Sequence, residues 1–499
     1  MELQFQKSQC RCLGRAVREV KNTELTQEVR LSDGMPDIGR VLGAWGQAVL
    51  RSKEWRAGQV SASGGVMTRI LYAPEDGSEI RSLDTWIPFQ IQWDIQNADR
   101  DGTLRVLPLL RFLDSRTVSA RKIMVRAGVA AMAEALYPTE KTICSADQLP
   151  ADIQLLKRTY PMMLPCEAGE KTFTLDEELT LPGHIPAMQR ILYHTVRTEV
   201  TEKKVMTNKL LFRGTAIAHL IYQCNEGNVH TWDFELPFSQ LTELEGDRSP
   251  DAQADIQLVL TNLELEQGET GQLRLKCGMT GQYLIHDRVM VELTEDAYST
   301  RRTVELAREP LLLPALLETR LETVSAGQQF PGIEGEILDA VFLPDFPLPQ
   351  RTAEGYSLEL PGLFQILYRD ESGTVQTATA RWTGHTEFPA DGDCRVDAVL
   401  QRIGSAQTAG SEGGVKVIAQ AALSMDVTSN REMTMVTGLT TGEEQEPDPS
   451  RPSLILCRPE GDGLWNIAKR CNSTMEAIQK ANGLQGEPED DRILLIPVC

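Results

Sequence analysis

The chain has 499 residues, 41% hydrophobic and 24% charged, with 50 Lys+Arg against 71 Asp+Glu for a formal net charge of −21. That length exceeds what one core organises and predicts about three or four domains, while the apolar fraction excludes wholesale disorder. The acidic balance, with no clustered Lys/Arg run, argues against nucleic-acid binding and against adsorption to anionic lipid.

Residues 1–10 lack the charged-then-apolar layout of a signal peptide, and nowhere do about 18 apolar residues run together. A soluble chain on the cytosolic side, without membrane insertion, is expected. The 10 cysteines include no CxxC pair, which makes reduced thiols the default. Cys10 and Cys12 fall on one face of a strand and read as small apolar side chains, the alternative being a metal or redox site.

A repeat of roughly 150 residues follows from internal similarity. Gly64 to Tyr72 reads GGVMTRILY, Gly214 to Tyr222 GTAIAHLIY and Gly362 to Tyr368 GLFQILY. Each run ends in a tyrosine followed at the same distance by a glycine, Gly77, Gly227 or Gly373, which predicts a β-hairpin with the glycine at φ > 0. Returning strands start near Ile80, Val229 and Val375. Ile87-Pro88-Phe89 and Leu236-Pro237-Phe238 then align, with the looser Glu387-Phe388-Pro389 in the third copy, and such prolines end a ladder or sit on an edge strand. Pro36 and Pro186 each precede their tyrosine by 36 residues, whereas Pro347 lies only 21 before Tyr368.

Further strands are expected at Leu107 to Phe112, Ile123 to Ala127, Ile256 to Leu265, Leu273 to Leu284 and Val415 to Val427. Nothing alternates strand with helix, so the fold class is mainly β, antiparallel or α+β repeats, with a small C-terminal βααβ module. The expected divisions are 1–160, 161–305 and 306–440 for the repeats, an acidic proline-rich linker at 441–452, and the module at 453–499. Leu149-Pro150-Ala151 and Tyr160-Pro161 mark the first boundary region.

In the module, Leu454 to Leu456 reads as a strand and Asp462 to Cys471 as a helix with Leu464, Ile467, Ala468 and Cys471 on one stripe. Asp462 is positioned to cap that helix, Ser473 and Glu476 to form a capping box for a second, and Gly483 to close it in the left-handed conformation. Arg492 to Pro497 is the closing strand. Trp465 lies beside the apolar stripe, which predicts partial burial over a binding role. Cys457, Cys471 and Cys499 crowd this region, leaving open a disulfide or a cross-link.

No GxSxG, Walker loop, HExxH or strand-following GxGxxG is present. No catalytic residue, metal site or cofactor is expected. His219 and His230 flank the second hairpin and are expected opposite each other, as a plain cross-strand pair or, with a third ligand, a metal site. Of Trp45, Trp55, Trp86, Trp93, Trp232 and Trp382, most are expected to fill cores or sheet edges, the alternative being a sugar-stacking face.

The C-terminal run Gly461-Asp462-x-Leu464-Trp465-x-Ile467-Ala468, with Ala481-Asn482-Gly483-Leu484 and a final Ile-Pro, resembles a LysM domain; Gly463 and the acidic Glu487 to Asp491 depart from its pattern. Met35 to Arg40, Val200 to Val205, Leu236 to Gln240 and Asp296-Ala297-Tyr298-Ser299-Thr300 resemble the SPOCS domain of endospore-forming bacteria, and the whole chain resembles SipL-like spore morphogenesis proteins. The resemblance implies a non-enzymatic scaffold for spore coat assembly, working from the mother-cell cytosol at the forespore surface. Its LysM module would dock on a coat morphogenetic protein, the alternative being peptidoglycan. The LysM resemblance implies a binding groove between Gly461, Asp462, Gly463 and Leu464 on one loop and Asn482, Gly483, Leu484 and Gln485 on the other.

Overall fold

Side chains that alternate between apolar and polar over long stretches are satisfied by extended antiparallel ladders, and strands of this kind make up most of the described residues. The computed structural model describes residues 2–95, 101–146, 149–268, 272–390, 394–411, 413–444, 452–459, 461–488 and 492–498. The first strands are β1 (Glu2–Gln4), β2 (Gln6–Arg30), β3 (Ile38–Arg56), β4 (Gln59–Pro74), β5 (Arg81–Asp94), β6 (Thr103–Ser119) and β7 (Lys122–Ser145). Next come β8 (Ile153–Leu179), β9 (Met188–Met206), β10 (Lys209–Cys224), β11 (Val229–Glu243), β12 (Gln253–Gln267) and β13 (Leu273–Ser299). Then follow β14 (Arg302–Pro331), β15 (Gly335–Pro344), β16 (Leu348–Arg351), β17 (Gly355–Asp370), β18 (Val375–Pro389), β19 (Arg395–Ile403), β20 (Gln407–Ser411) and β21 (Gly414–Glu444). The tail contains β22 (Leu454–Cys457), α1 (Leu464–Arg470), α2 (Met475–Asn482) and β23 (Leu494–Pro497).

One arrangement recurs three times: a long strand, a three-stranded meander, and a hairpin whose second arm pairs with the long strand. The meanders are β3-β4-β5, β9-β10-β11 and β15-β17-β18, the third with the short β16 added along β17; the other strands form β2-β7-β6 and, within one larger sheet in which β1 and β20 also pair with β21, β8-β13-β12 and β14-β21-β19. The last two join through a single pairing of Leu316 with Met163. Ladders run further than the expected strands: β8 continues unbroken through Tyr160-Pro161, where Pro161 pairs with Met290. The acidic linker begins inside β21, which ends at Glu444, and residues 445–451 of it lie outside the described residues.

The hairpin signals have a physical origin. Gly77, Gly227 and Gly373 hold φ of 70°, 84° and 81°, as a turn of this hand requires. Tyr72 donates its hydroxyl hydrogen to the Pro36 carbonyl at 3.2 Å and Tyr222 to that of Pro186 at 3.1 Å, so the shared 36-residue spacing is that of a hydrogen bond. Tyr368 has no such bond among the described residues. Gly64 and Gly214 pair with Phe89 and Phe238, and a Cβ on either would fall 2.7 or 2.5 Å from the facing phenyl ring. Pro88 and Pro237 lie within β5 and β11, the outer strands of their meanders.

The three meanders close into a ring. Leu71, Ile221 and Leu367, each just before its hairpin tyrosine, meet Leu42, Leu192 and Leu338 in one apolar cluster with Trp45 and Tyr193. Around this plug the outer strand of each meander contacts the first strand of the next. Ser82 and Ile80 of the first reach Ile191 and Arg190 of the second. Arg40 donates to the Val375 carbonyl at 2.7 Å, and Thr377 to that of Leu42, joining third to first. The second and third meet at His219, whose Nδ1 lies 2.5 Å from Asp233 and Nε2 3.0 Å from Asp339.

That geometry corrects the expected histidine pair. The ladder sets His219 against Asp233, and His230 against Tyr222, with ring centroids 5.8 Å apart. An imidazole can donate from both nitrogens only when protonated. Burial opposes the charge, but hydrogen bonds to Asp233 and Asp339 outweigh it and raise the imidazole from 6.5 to about 9. Arg197 also pairs with Asp233, at 3.3 Å.

A second junction lies in the other layer, where Arg105, Asp255 and Asp397 occupy the third position of β6, β12 and β19. Arg105 and Glu134 are almost fully buried and 2.8 Å apart, and Arg105 also bonds to Asp255. Glu134 and Asp397 are shared by Arg15 and Arg18. Such a network costs desolvation and stabilises only as a complete set.

Two outcomes test these contacts. Tyr222→Phe removes a hydrogen bond worth about 1 kcal/mol and lowers the denaturation midpoint, whereas Tyr368→Phe leaves it unchanged. Because the folded pKa of His219 is raised, its contribution is fully present below pH 6.5 and is lost as pH rises through about 9. Subtracting the stability of His219→Gln from that of the parent between these values should expose this decline; a pH-independent difference contradicts the clasp.

Candidate functional site

The tail is a small domain around Leu464, Ile467, Ala468, Ile478, Leu494 and Ile496. β22 pairs antiparallel with β23, and the two short helices lie between them in sequence, the βααβ order expected. Leu464, Ile467 and Ala468 of the apolar stripe are buried, and Cys471 is half-buried.

The caps differ from the sequence reading. Gly463 is the N-cap of α1, with no side-chain bond, and Asp462 instead pairs with Arg470 at 2.5 Å. The Leu464 N–H donates to Glu487 Oε2 at 2.7 Å, so a carboxylate from the acidic segment takes the acceptor role expected of Asp462. At α2 the cap is Thr474, whose Oγ1 accepts from the Ala477 N–H at 3.0 Å; Ser473, one residue earlier, donates its hydroxyl to the Pro497 carbonyl. Gly483 closes α2 at φ 62°, as expected.

The two candidate loops meet at the tail's core through Leu464 and Leu484, and Glu487, two residues beyond the second loop, accepts from the Leu464 N–H of the first. Their members have different roles. Asn482 uses its side chain internally, donating to Leu495 O at 2.6 Å and accepting from Leu495 N at 2.8 Å, which locks α2 to β23. Leu464 is buried, and Leu484 packs against the tail's core. Gly461, Gly483 and Gln485 are exposed, while Asp462 and Gly463 are half-buried. Residues 489–491 of the acidic segment lie outside the described residues.

Trp465 is buried, 8% exposed, but its ring faces β13 as well as its own domain. It meets Tyr298 edge-on, centroids 4.8 Å apart, and its indole N–H donates to Asp296 Oδ2 at 2.9 Å. Lys469 reaches the same oxygen at 2.6 Å, and Arg308 donates to Oδ1 at 2.9 Å. The Tyr298 hydroxyl donates to Ser473 O at 2.7 Å. Burial pushes the Asp296 carboxyl up, but the hydrogen bonds from Lys469 and Trp465 prevail and hold it below the usual carboxylate range. The tail is therefore seated on the 296–300 motif through one helix face.

Cys457 and Cys471 are free thiols, and Cys499 lies outside the described residues. Cys10 and Cys12 pack in an apolar cluster, and burial raises the Cys12 thiol to about 11. Trp45 and Trp93 are buried, and the other four tryptophans are half-buried on several sheets. No helix among the described residues is long and apolar enough to cross a membrane.

The architecture is that of an antiparallel β body carrying a small βααβ binding module. Residues 187–267 match the family model of the SipL SPOCS domain, and residues 460–487 match that of the LysM domain. The chain thus carries one segment similar to the SipL SPOCS domain, a type tied to sporulation, and one similar to the LysM domain, a peptidoglycan-binding type. No curated protein and no solved structure matches it.

Asp296→Asn removes the charge shared by Lys469 and Arg308. Charged hydrogen bonds contribute about 1.5–3 kcal/mol each, so amides of α1 should exchange hydrogen about tenfold faster or more in the variant. Unchanged exchange contradicts the seating.

Proposed function

We propose that this protein is a non-enzymatic scaffold in assembly of the bacterial spore coat, acting at the forespore surface from the mother-cell cytosol and docking on a coat morphogenetic protein through its LysM domain. The observation that carries the proposal is the fixed seating of the LysM domain on β13, which presents the exposed loop residues Gly461, Gly483 and Gln485 from a rigid support. The repeats at 1–160, 161–305 and 306–440 supply that support, and the segment at 441–452 tethers the module at 453–499.

Peptidoglycan is the second reading, favoured by the LysM match itself. Against it stands Glu487, whose carboxylate engages the Leu464 N–H of the first loop and sets a negative charge there.

A fluorescent fusion followed through sporulation tests the proposal. The full chain should form a shell around the forespore, and deletion of residues 453–499 should disperse it. A uniform signal from the full chain contradicts the coat role, and a shell that survives the deletion contradicts docking through LysM. Sedimentation of the full chain with purified peptidoglycan would instead support the second reading.

A further inference from the structure

A cavity of about 660 Å³ lies where the three non-meander sheets meet, within the size range of small-molecule sites. Its walls come from β2, β7, β8, β13, β14 and β21, so every repeat contributes. Arg15, Arg18, Lys141 and Arg395 line it together with His286, and no Asp or Glu does. Four permanent cations facing one space is unexpected in a chain with 71 acidic and 50 basic residues.

Behind this wall stand two carboxylates, Glu134 and Asp397. Arg15 binds both, at 3.0 and 2.5 Å; Arg18 binds both, at 3.0 and 3.2 Å; and Arg395 binds Asp397 at 3.1 Å. Arg105 binds Glu134 as well and is paired with Asp255, so four guanidinium groups share three carboxylates, leaving one positive charge over before Lys141 is counted. Lys141 makes no ion pair among the described residues. Each guanidinium has five N–H donors in a planar fork, and the carboxylates fix its orientation while using only part of that capacity. Arg18 is held most rigidly, with a side chain only 9% exposed. Thr139, Thr428 and Asn430 add neutral polar groups to the lining.

We propose that this cavity is a binding site for a small organic anion carrying two or more carboxylate or phosphate groups. Guanidinium forks recognise both oxyanions bidentately, and preorganised cations in a partly desolvated space bind them without first ordering mobile side chains. A ligand there would touch all three repeats at once and tie them together.

Calorimetric titration of the full chain at low ionic strength, with citrate and separately with pyrophosphate, tests the proposal. One-to-one saturable binding of either probe is expected, citrate alone identifying a carboxylate site and pyrophosphate alone a phosphate site. Arg395→Gln and Lys141→Gln should each weaken binding about tenfold, a loss of about 1.4 kcal/mol. Both side chains lie outside the most buried part of the ion network, so these variants should keep the fold where loss of Arg18 would not. Arg56→Gln, on an exposed residue paired with Glu54, should leave affinity unchanged. Absence of binding by both probes, or binding equally tight in Arg395→Gln and Lys141→Gln, overturns the proposal.

Discussion

The apolar plug of Leu71, Ile221 and Leu367 with Leu42, Leu192 and Leu338 is the contact on which the arrangement of the three repeats rests. A three-stranded meander leaves two edges and one apolar face unpaired, and each is a liability when exposed. Here each meander sets its outer strand against the first strand of the next, and the third returns to the first. A head-to-tail interface that rotates by the right amount closes on itself; within one polypeptide, closure leaves no fourth position to fill. The ring also explains why equivalent positions carry different polar groups. Arg69 pairs with Asp84 across its hairpin, His219 is clasped between two aspartates, and Gln365 donates to the Ala44 carbonyl. One ladder position serves a pair within the first meander and two junctions between meanders.

The second layer solves its own junction with charge. Arg105, Asp255 and Asp397 occupy equivalent positions, but only the first is a cation, so the buried network has a direction that three identical units could not have. Burying such a set is costly and contributes little net stability, yet it discriminates sharply against wrong partners because any misassembly strands a charge. The unequal sharing of three carboxylates among four arginines is also what makes the adjoining cavity cationic.

Much of this was legible in sequence because the signals were local. The tyrosine–glycine spacing marked all three hairpins, and the Pro36–Tyr72 and Pro186–Tyr222 intervals already contained a hydrogen bond. The LysM order was readable from one apolar stripe, a left-handed Gly483 and a closing Ile-Pro. Errors arose where a feature depended on partners distant in the chain or on register. Asp462 is a good cap by residue type, but Glu487 competes for the helix start and Arg470 for the aspartate. His230 faces Tyr222 because a ladder fixes partners residue by residue. Trp465 could be placed beside its stripe, yet what buries it is 169 residues away at Asp296. The 296–300 motif was visible as a resemblance only, and its role as the seat of the tail became clear once both ends of the contact were in place.

Ring closure is tested most directly by hydrogen exchange on the full chain carrying Ile221→Ala. Truncating a fully buried aliphatic side chain costs about 2–5 kcal/mol. With one shared plug, amides of β4 and β17 should lose protection together with those of β10. Loss confined to β10 and its immediate ladder partners would show three independently stable modules and contradict the ring.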